Sequence, residues 1–166
     1  MPSQSASSEP EDLSAMSHFL SKGYTTEQAK LKVVWDEKKV AVCVSDMSNT
    51  TLIKANAAAA TDSVKLSDKD REVLYRLAQS SRSLYCQACT RCESVMEAES
   101  RIPDILRYMM YFNSYGRTDY ARALFRELPE HIRKNLVLRD YTRAESVCPN
   151  KIEIGRAMRE AARLLA

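Results

Sequence analysis

The chain holds 166 residues, 45% of them hydrophobic, with only 3 Gly and a net charge of +3; it has the length of one domain with an appendage and is too short for a complete (β/α)8 barrel of roughly 250 residues. An average chain of this length carries roughly 12 Gly, so the left-handed positions that hairpins and phosphate-cradling loops need are scarce, which argues against a sandwich, a Rossmann domain or a P-loop and favours helices. Charge is split, with 12 Lys/Arg against 14 Asp/Glu in residues 1–100 and 13 against 8 in residues 101–166; solvated helix faces account for such a bias, and nucleic acid is not an expected partner.

Residues 1–9 hold four Ser and read as a disordered tail. They have neither the basic nor the apolar region of a secretory signal, and no apolar run in the chain approaches the length of a membrane span. The expectation is a cytoplasmic protein with no membrane partner and with reduced thiols. Pro10 opens a helix that places Leu13, Met16, Phe19 and Leu20 on one face and stops at Gly23. Thr25 and Gln28 form the Thr-x-x-Gln capping pattern ahead of Ala29, Leu31, Val33, Val34 and Trp35, a second helix. Val40 to Val44 is apolar at every position and reads as a strand buried on both faces, with Cys43 as an apolar filler inside it. The polar loop 45–49 leads into a helix through Leu52, Ile53 and Ala60. Ser67 caps another with Val73, Leu74 and Leu77 inward. A lone strand cannot satisfy its own edges, so a partner must supply its neighbours.

The second half reads as helices only. One starts at Ile102-Pro103, one at Thr118 or Asp119, a short one at Pro129 and the last at Ile154. The Met and Tyr residues at 108–115 fall at helical spacing and read as core. His18 and His131, the two histidines, read as ordinary surface or boundary residues.

An internal repeat organises this half. Residues 90–96, Thr-Arg-Cys-Glu-Ser-Val-Met, match residues 142–148, Thr-Arg-Ala-Glu-Ser-Val-Cys, at five of seven positions and an offset of 52. Ile102 and Ile154 fall in the same register, as do Arg107 and Arg159. Cys86, Cys89 and Cys92 form C-x2-C-x2-C, and Cys148 precedes Pro149. Two-cluster ferredoxins use C-x2-C-x2-C-x3-C-P twice, the fourth Cys of each run ligating the other cluster. On that template the first copy supplies Cys86, Cys89, Cys92 and then Met96; the second supplies Leu138, Tyr141, Ala144 and then Cys148. Crossed ligation sorts these positions into one site of four cysteines and one site of none. Four thiolates suit one 4Fe–4S cluster, with Tyr85, Met96 and Tyr141 as apolar cover. A structural zinc, a remnant that binds nothing and a redox-active thiol pair are the competing readings.

The run from Gln28 to Ala60, through Val-Val-Trp, Val-Cys-Val-Ser-Asp-Met-Ser-Asn and Asn56-Ala-Ala-Ala, resembles the last β/α segment of the aldo/keto reductases. Residues 85–166 resemble the helical ferredoxin-like extension of one branch of that family. Tyr85-Cys86, Cys89, Cys92, Arg101-Ile102-Pro103, Arg107-Tyr108, Asn113-Ser114-Tyr115-Gly116, Asp140-Tyr141 and Cys148-Pro149 carry that match. The resemblance implies a mainly α fold, with a residual helix–strand–helix from an α/β barrel over residues 10–66 and a helical ferredoxin-like domain over 67–166. It implies an iron–sulfur, electron-transfer module that needs a redox partner or a barrel-bearing protein. The family's catalytic Asp, Tyr, Lys and His lie on earlier barrel strands that have no counterpart here, so the resemblance implies no activity for the chain alone. Asn56 matches the family's adenine-side Asn, but Asp46 in the neighbouring loop repels a 2′-phosphate, and NAD(P) is not expected to bind this chain alone. The alternative expectation is a cluster-free helical interaction module that docks on a barrel partner or forms a homo-oligomer.

Overall fold

The computed structural model describes residues 10–96 and 99–166; the predicted tail at 1–9 lies outside them. The described residues form ten helices, one 3-10 turn at Arg82–Leu84 and no strand. They divide into two compact units, 10–80 and 81–166. The division falls after residue 80 rather than after residue 66.

The first unit contains α1 (Pro10–Leu20), α2 (Thr26–Trp35), α3 (Thr50–Thr61) and α4 (Asp68–Ser81). Its core is small: Phe19, Tyr24, Ala29, Leu66, Leu74 and Leu77 are buried together with Ala15. Leu74 and Leu77 lie on α4, which is why that helix belongs here and not with the domain that follows. Gly23 reverses the chain after α1 at φ +86°, a conformation that costs a residue with a Cβ about 1 kcal/mol or more. The capping box forms as the sequence predicts: Thr25 Oγ1 accepts from the Gln28 N–H at 3.2 Å, and Gln28 Oε1 accepts from the Thr25 N–H at 2.8 Å. Gln28 also donates to the Ala55 carbonyl at 3.0 Å, tying α2 to α3.

The predicted strand at Val40–Val44 is absent. The segment is an exposed loop, with Val42 78% and Val44 94% accessible, and Cys43 is half-buried rather than a core filler. The element is helix–loop–helix, not helix–strand–helix. The physical reason is the one its sequence announces: a run apolar on both faces needs neighbours on both edges, and the described chain has no other strand to supply them.

The second unit contains α5 (Arg91–Ser94), α6 (Ile102–Asn113), α7 (Thr118–Glu127), α8 (Glu130–Asn135), α9 (Thr142–Ser146) and α10 (Ile154–Leu164). Helix α6 packs on α7 and α10, and α5 packs on α9. Ile102, Ile105, Phe125, Ile132, Leu136, Ile154, Met158 and Leu165 are fully buried in one continuous core. Of the predicted Met and Tyr stripe, Met109 is buried, Tyr108, Tyr111 and Phe112 pack at the core's edge, and Tyr115 is exposed.

The offset of 52 is structural as well as sequential. Ile102 and Ile154 each begin a helix. Ser94 donates to the Arg91 carbonyl at 2.8 Å, and Ser146 donates to the Arg143 carbonyl at 2.7 Å. The Met96 N–H reaches the Glu93 carbonyl and the Cys148 N–H reaches the Glu145 carbonyl, both at 3.1 Å. Short helix packs on its own counterpart, and long helix on its own counterpart. Such pairing is what a duplicated motif produces when each copy lacks enough apolar surface to fold alone.

Candidate metal centre

Cys86, Cys89, Cys92 and Cys148 line one shallow cleft, about 330 Å³ including its open part, with Leu106, Ile152 and Ile154 among its apolar walls. Two cysteines are buried (Cys92 and Cys148), Cys86 is half-buried and Cys89 is exposed. The four thiols that the crossed alignment selects are therefore on one cavity, although 56 residues separate Cys92 from Cys148.

Local structure explains how. Between Cys86 and Cys92, Ala88 (φ +52°) and Thr90 (φ +59°) take left-handed conformations. Such positions are uncommon for residues with a Cβ, and for β-branched Thr90 an outlier. They turn the loop so that successive cysteines face the same space, and the Ala88 N–H donates to Cys86 Sγ at 3.3 Å. Arg91 to Ser94 then forms a single helical turn that carries Cys92 into the core. The distant Cys148 is held by two bonds across the cleft. Asn150 Nδ2 donates to the Tyr85 carbonyl at 2.6 Å, and the Arg82 guanidinium donates to the Pro149 carbonyl. Asn150 is itself 4% exposed. Neither residue was selected from sequence; the only signal is that Asn150 follows Cys148-Pro149.

The electrostatics agree with the geometry. Burial pushes the Cys86 thiol up, and Cys148 and Cys89 add to that while Arg107 opposes it. Burial pushes Cys92 up to about 11, with Cys86 and Glu93 adding to it. Burial thus makes Cys86 and Cys92 poor nucleophiles at neutral pH. Among the described residues no three His, Cys, Asp or Glu side chains sit as close as one bound ion requires. A single zinc with Zn–S of 2.3 Å would need thiolates about 3.8 Å apart, and no such group occurs among the described residues.

The second copy fills three of its four equivalent positions with packed side chains. Ala144 and Tyr141 are buried, and the Tyr141 hydroxyl donates to the Leu136 carbonyl at 3.0 Å. Met96 packs on the same core, whereas Leu138 is exposed. Tyr85, the third predicted cover residue, is exposed, and its carbonyl serves Asn150.

Asn56, the candidate adenine-side residue, lies on α3, and its side-chain amide donates to Ser45 Oγ at 3.0 Å and to the Asp46 carbonyl at 2.9 Å. Its donors hold the 45–46 loop in place. In the same unit the structure reveals a cluster the sequence concealed. Asp70, 2% exposed, receives His18 Nε2 at 2.7 Å, Lys22 Nζ at 2.5 Å, and both the N–H and the hydroxyl of Ser67. Burial alone would raise the Asp70 carboxyl, but Lys22, Ser67 and His18 outweigh it and hold it well below the usual carboxylate range. His18 is thus a boundary residue, as expected, with a structural partner that its sequence did not announce.

Comparison with family models, with curated proteins and with solved structures gives no match for the chain. Among the described residues no helix is long and apolar enough to cross a membrane.

Proposed function

We propose that the chain is an iron–sulfur electron-transfer module in which Cys86, Cys89, Cys92 and Cys148 hold one 4Fe–4S cluster. The observation that carries this reading is that four thiols, predicted as one set by crossed ligation, line a single cleft. The donor set suits the group: it is all thiol, it lines one cleft, and a backbone N–H already aims at one sulfur. A cluster bound there supplies one-electron chemistry. The chain's residues supply the rest: the left-handed loop positions three sulfurs, Asn150 and Arg82 position the fourth, and Leu106, Ile152 and Ile154 exclude water. With no counterpart to the catalytic residues of the aldo/keto reductases that it resembles, the module does not reduce carbonyls alone.

Anaerobic purification, followed by a visible spectrum and iron and sulfide assays, tests the reading. About four irons and four sulfides per chain with a broad band near 400 nm are expected. Zinc alone, or no metal, refutes it. Turnover of a carbonyl substrate with NADH or NADPH by the isolated chain would refute the claim that it lacks a catalytic set.

A second reading, a docking module for a sheet-bearing partner, draws support from one observation: Val42 and Val44 are almost fully exposed in a segment whose composition suits a central strand.

A further inference from the structure

The duplication does not account for the exposure of Cys89. Within the repeat Cys89 matches Tyr141, and Cys92 matches Ala144. Tyr141 is 3% exposed, and Ala144 and Cys92 are buried, yet Cys89 faces solvent. Gln87, Ala88, Thr90 and Arg91, its neighbours along the chain, are exposed with it. The cause is local backbone. Ala88 at φ +52° and Thr90 at φ +59° take left-handed conformations on either side of Cys89, whereas their counterparts Asp140 and Thr142 do not. Neither position is glycine and one is β-branched, so both are held against a steric cost. Strain of this kind persists only where the surrounding structure imposes it, and it gathers at functional sites. The other three thiols are held more firmly. Cys86 is half-buried and its Sγ accepts from the Ala88 N–H at 3.3 Å, while Cys92 and Cys148 are packed into the core of their unit.

We propose that Cys89 is the releasing ligand of the site: it holds one iron at a solvent-facing corner, and one-electron oxidation frees that iron as Fe(II) while Cys86, Cys92 and Cys148 keep the remainder. The proposal rests on the cluster reading above and adds to it a site that gives up and takes back a single ferrous ion in response to oxidants. Oxidants and chelators act first on the sulfur and iron that solvent reaches, and Cys92 and Cys148 cannot swing out without opening the core. The step balances. Two Fe(III) and two Fe(II) become three Fe(III) that stay bound and one Fe(II) that leaves, and one electron passes to the oxidant. The bonds from the departing iron to Cys89 Sγ and to its sulfides break, each electron pair staying on sulfur. The sulfides remain with the protein, and the freed Cys89 thiolate takes a proton from solvent.

The test starts from the unaltered chain, purified anaerobically and assayed at about four irons and four sulfides. It is treated with ferricyanide, a one-electron oxidant, beside a ferrous chelator. The expected result is one Fe(II) per chain in the chelator, full retention of sulfide, and an EPR signal from a three-iron cluster where there was none before. Iodoacetamide added next is expected to label Cys89 and to leave Cys86, Cys92 and Cys148 unlabelled in a peptide mass map; Cys43 lies outside the set and is scored separately. Fe(II) with dithionite is expected to restore the fourth iron and to protect Cys89 again. The variant Cys89→Ala is expected to assemble about three irons with full sulfide and unchanged helix content, whereas Cys92→Ala loses nearly all of both. Loss of all the iron together with the sulfide, retention of all the iron under excess oxidant, or labelling of Cys86, Cys92 or Cys148 in place of Cys89 would overturn the proposal. So would a folded Cys89→Ala chain that holds no iron. If that variant does not fold, the labelling pattern of the unaltered chain decides the matter. Absence of iron and sulfide at the start overturns the cluster reading itself, and is seen before any oxidant is added.

Discussion

The two units use their apolar residues in opposite ways. Residues 81–166 close a continuous core in which two copies of one motif pack on each other, and their exposed thiol edge is the opening of a defined cleft. Residues 10–80 bury only seven residues in their core and leave Leu13, Met16, Leu20, Val42, Val44 and Ile53 exposed. What holds the first unit is in large part polar: a capping box, the Asp70 cluster and Lys32, buried, with its ammonium on the Val64 carbonyl at 2.8 Å and Asp62 at 3.1 Å. The difference teaches that apolar content alone does not make a core. The same composition closes where a repeat supplies matching faces and stays open where a sheet would be needed.

The largest expected effect is at the thiol ring. Replacing Cys148 with Ser should remove nearly all the iron and sulfide and abolish the visible band. Full metal content in that variant would break the crossed pairing of the two copies. Next comes the closed core, where Phe125→Ala should cost about 3–5 kcal/mol in chemical denaturation, as deletion of a buried ring does. A loss below 1 kcal/mol would show that the second unit is less tightly packed than described.

The polar ties of the first unit rank lower. Asp70→Ala should cost about 2 kcal/mol, since it removes charge-assisted bonds to Lys22 and His18. The sign of its pH dependence follows from the depressed folded value. The Asp70 contribution is complete above the unfolded carboxylate value of about 4, and it is lost as pH falls through the lower folded value. Denaturation midpoints of the unaltered chain and the variant should therefore converge below about pH 4. A gap that widens there would contradict the assignment. Thr25→Ala should cost about 1 kcal/mol through the lost cap.

The smallest effect sharpens the contrast most. Val42→Lys with Val44→Lys should change stability by less than about 0.5 kcal/mol per site, because both side chains already face solvent. A loss of several kcal/mol would mean that the segment is covered, by a second copy or by another chain, and would favour the docking reading.

Much of the molecule was legible because its signals are local. Thr25 and Gln28 cap a helix through atoms three residues apart, and Pro10, Pro103 and Ser67 mark helix starts by the same short-range chemistry. The set of four cysteines was legible because a repeat writes a long-range relation into the sequence as an offset. The loop at 40–44 was misread because β-propensity describes a fit to neighbours, and neighbours are not in the pattern. His18 and Asp70 were not paired because 52 residues separate them, and the Ser67-x-x-Asp70 spacing marks a helix start without pointing to His18. Asn150 and Arg82 went unnoticed for the same reason: each acts on a carbonyl, and a carbonyl belongs to every residue.

By itself the sequence determined most of the helices, the Thr25 cap, the duplicated motif and the set of four thiols that line one cleft, since each rests on spacing along one chain; the short helices α5 and α9 were not read from it. Only the tertiary structure decided which thiols are reachable, that α4 joins the first unit, that Asp70 gathers its partners and that Val40 to Val44 remains uncovered. Those outcomes depend on what packs against what, and packing is settled by surfaces that meet in space rather than by residues that follow one another.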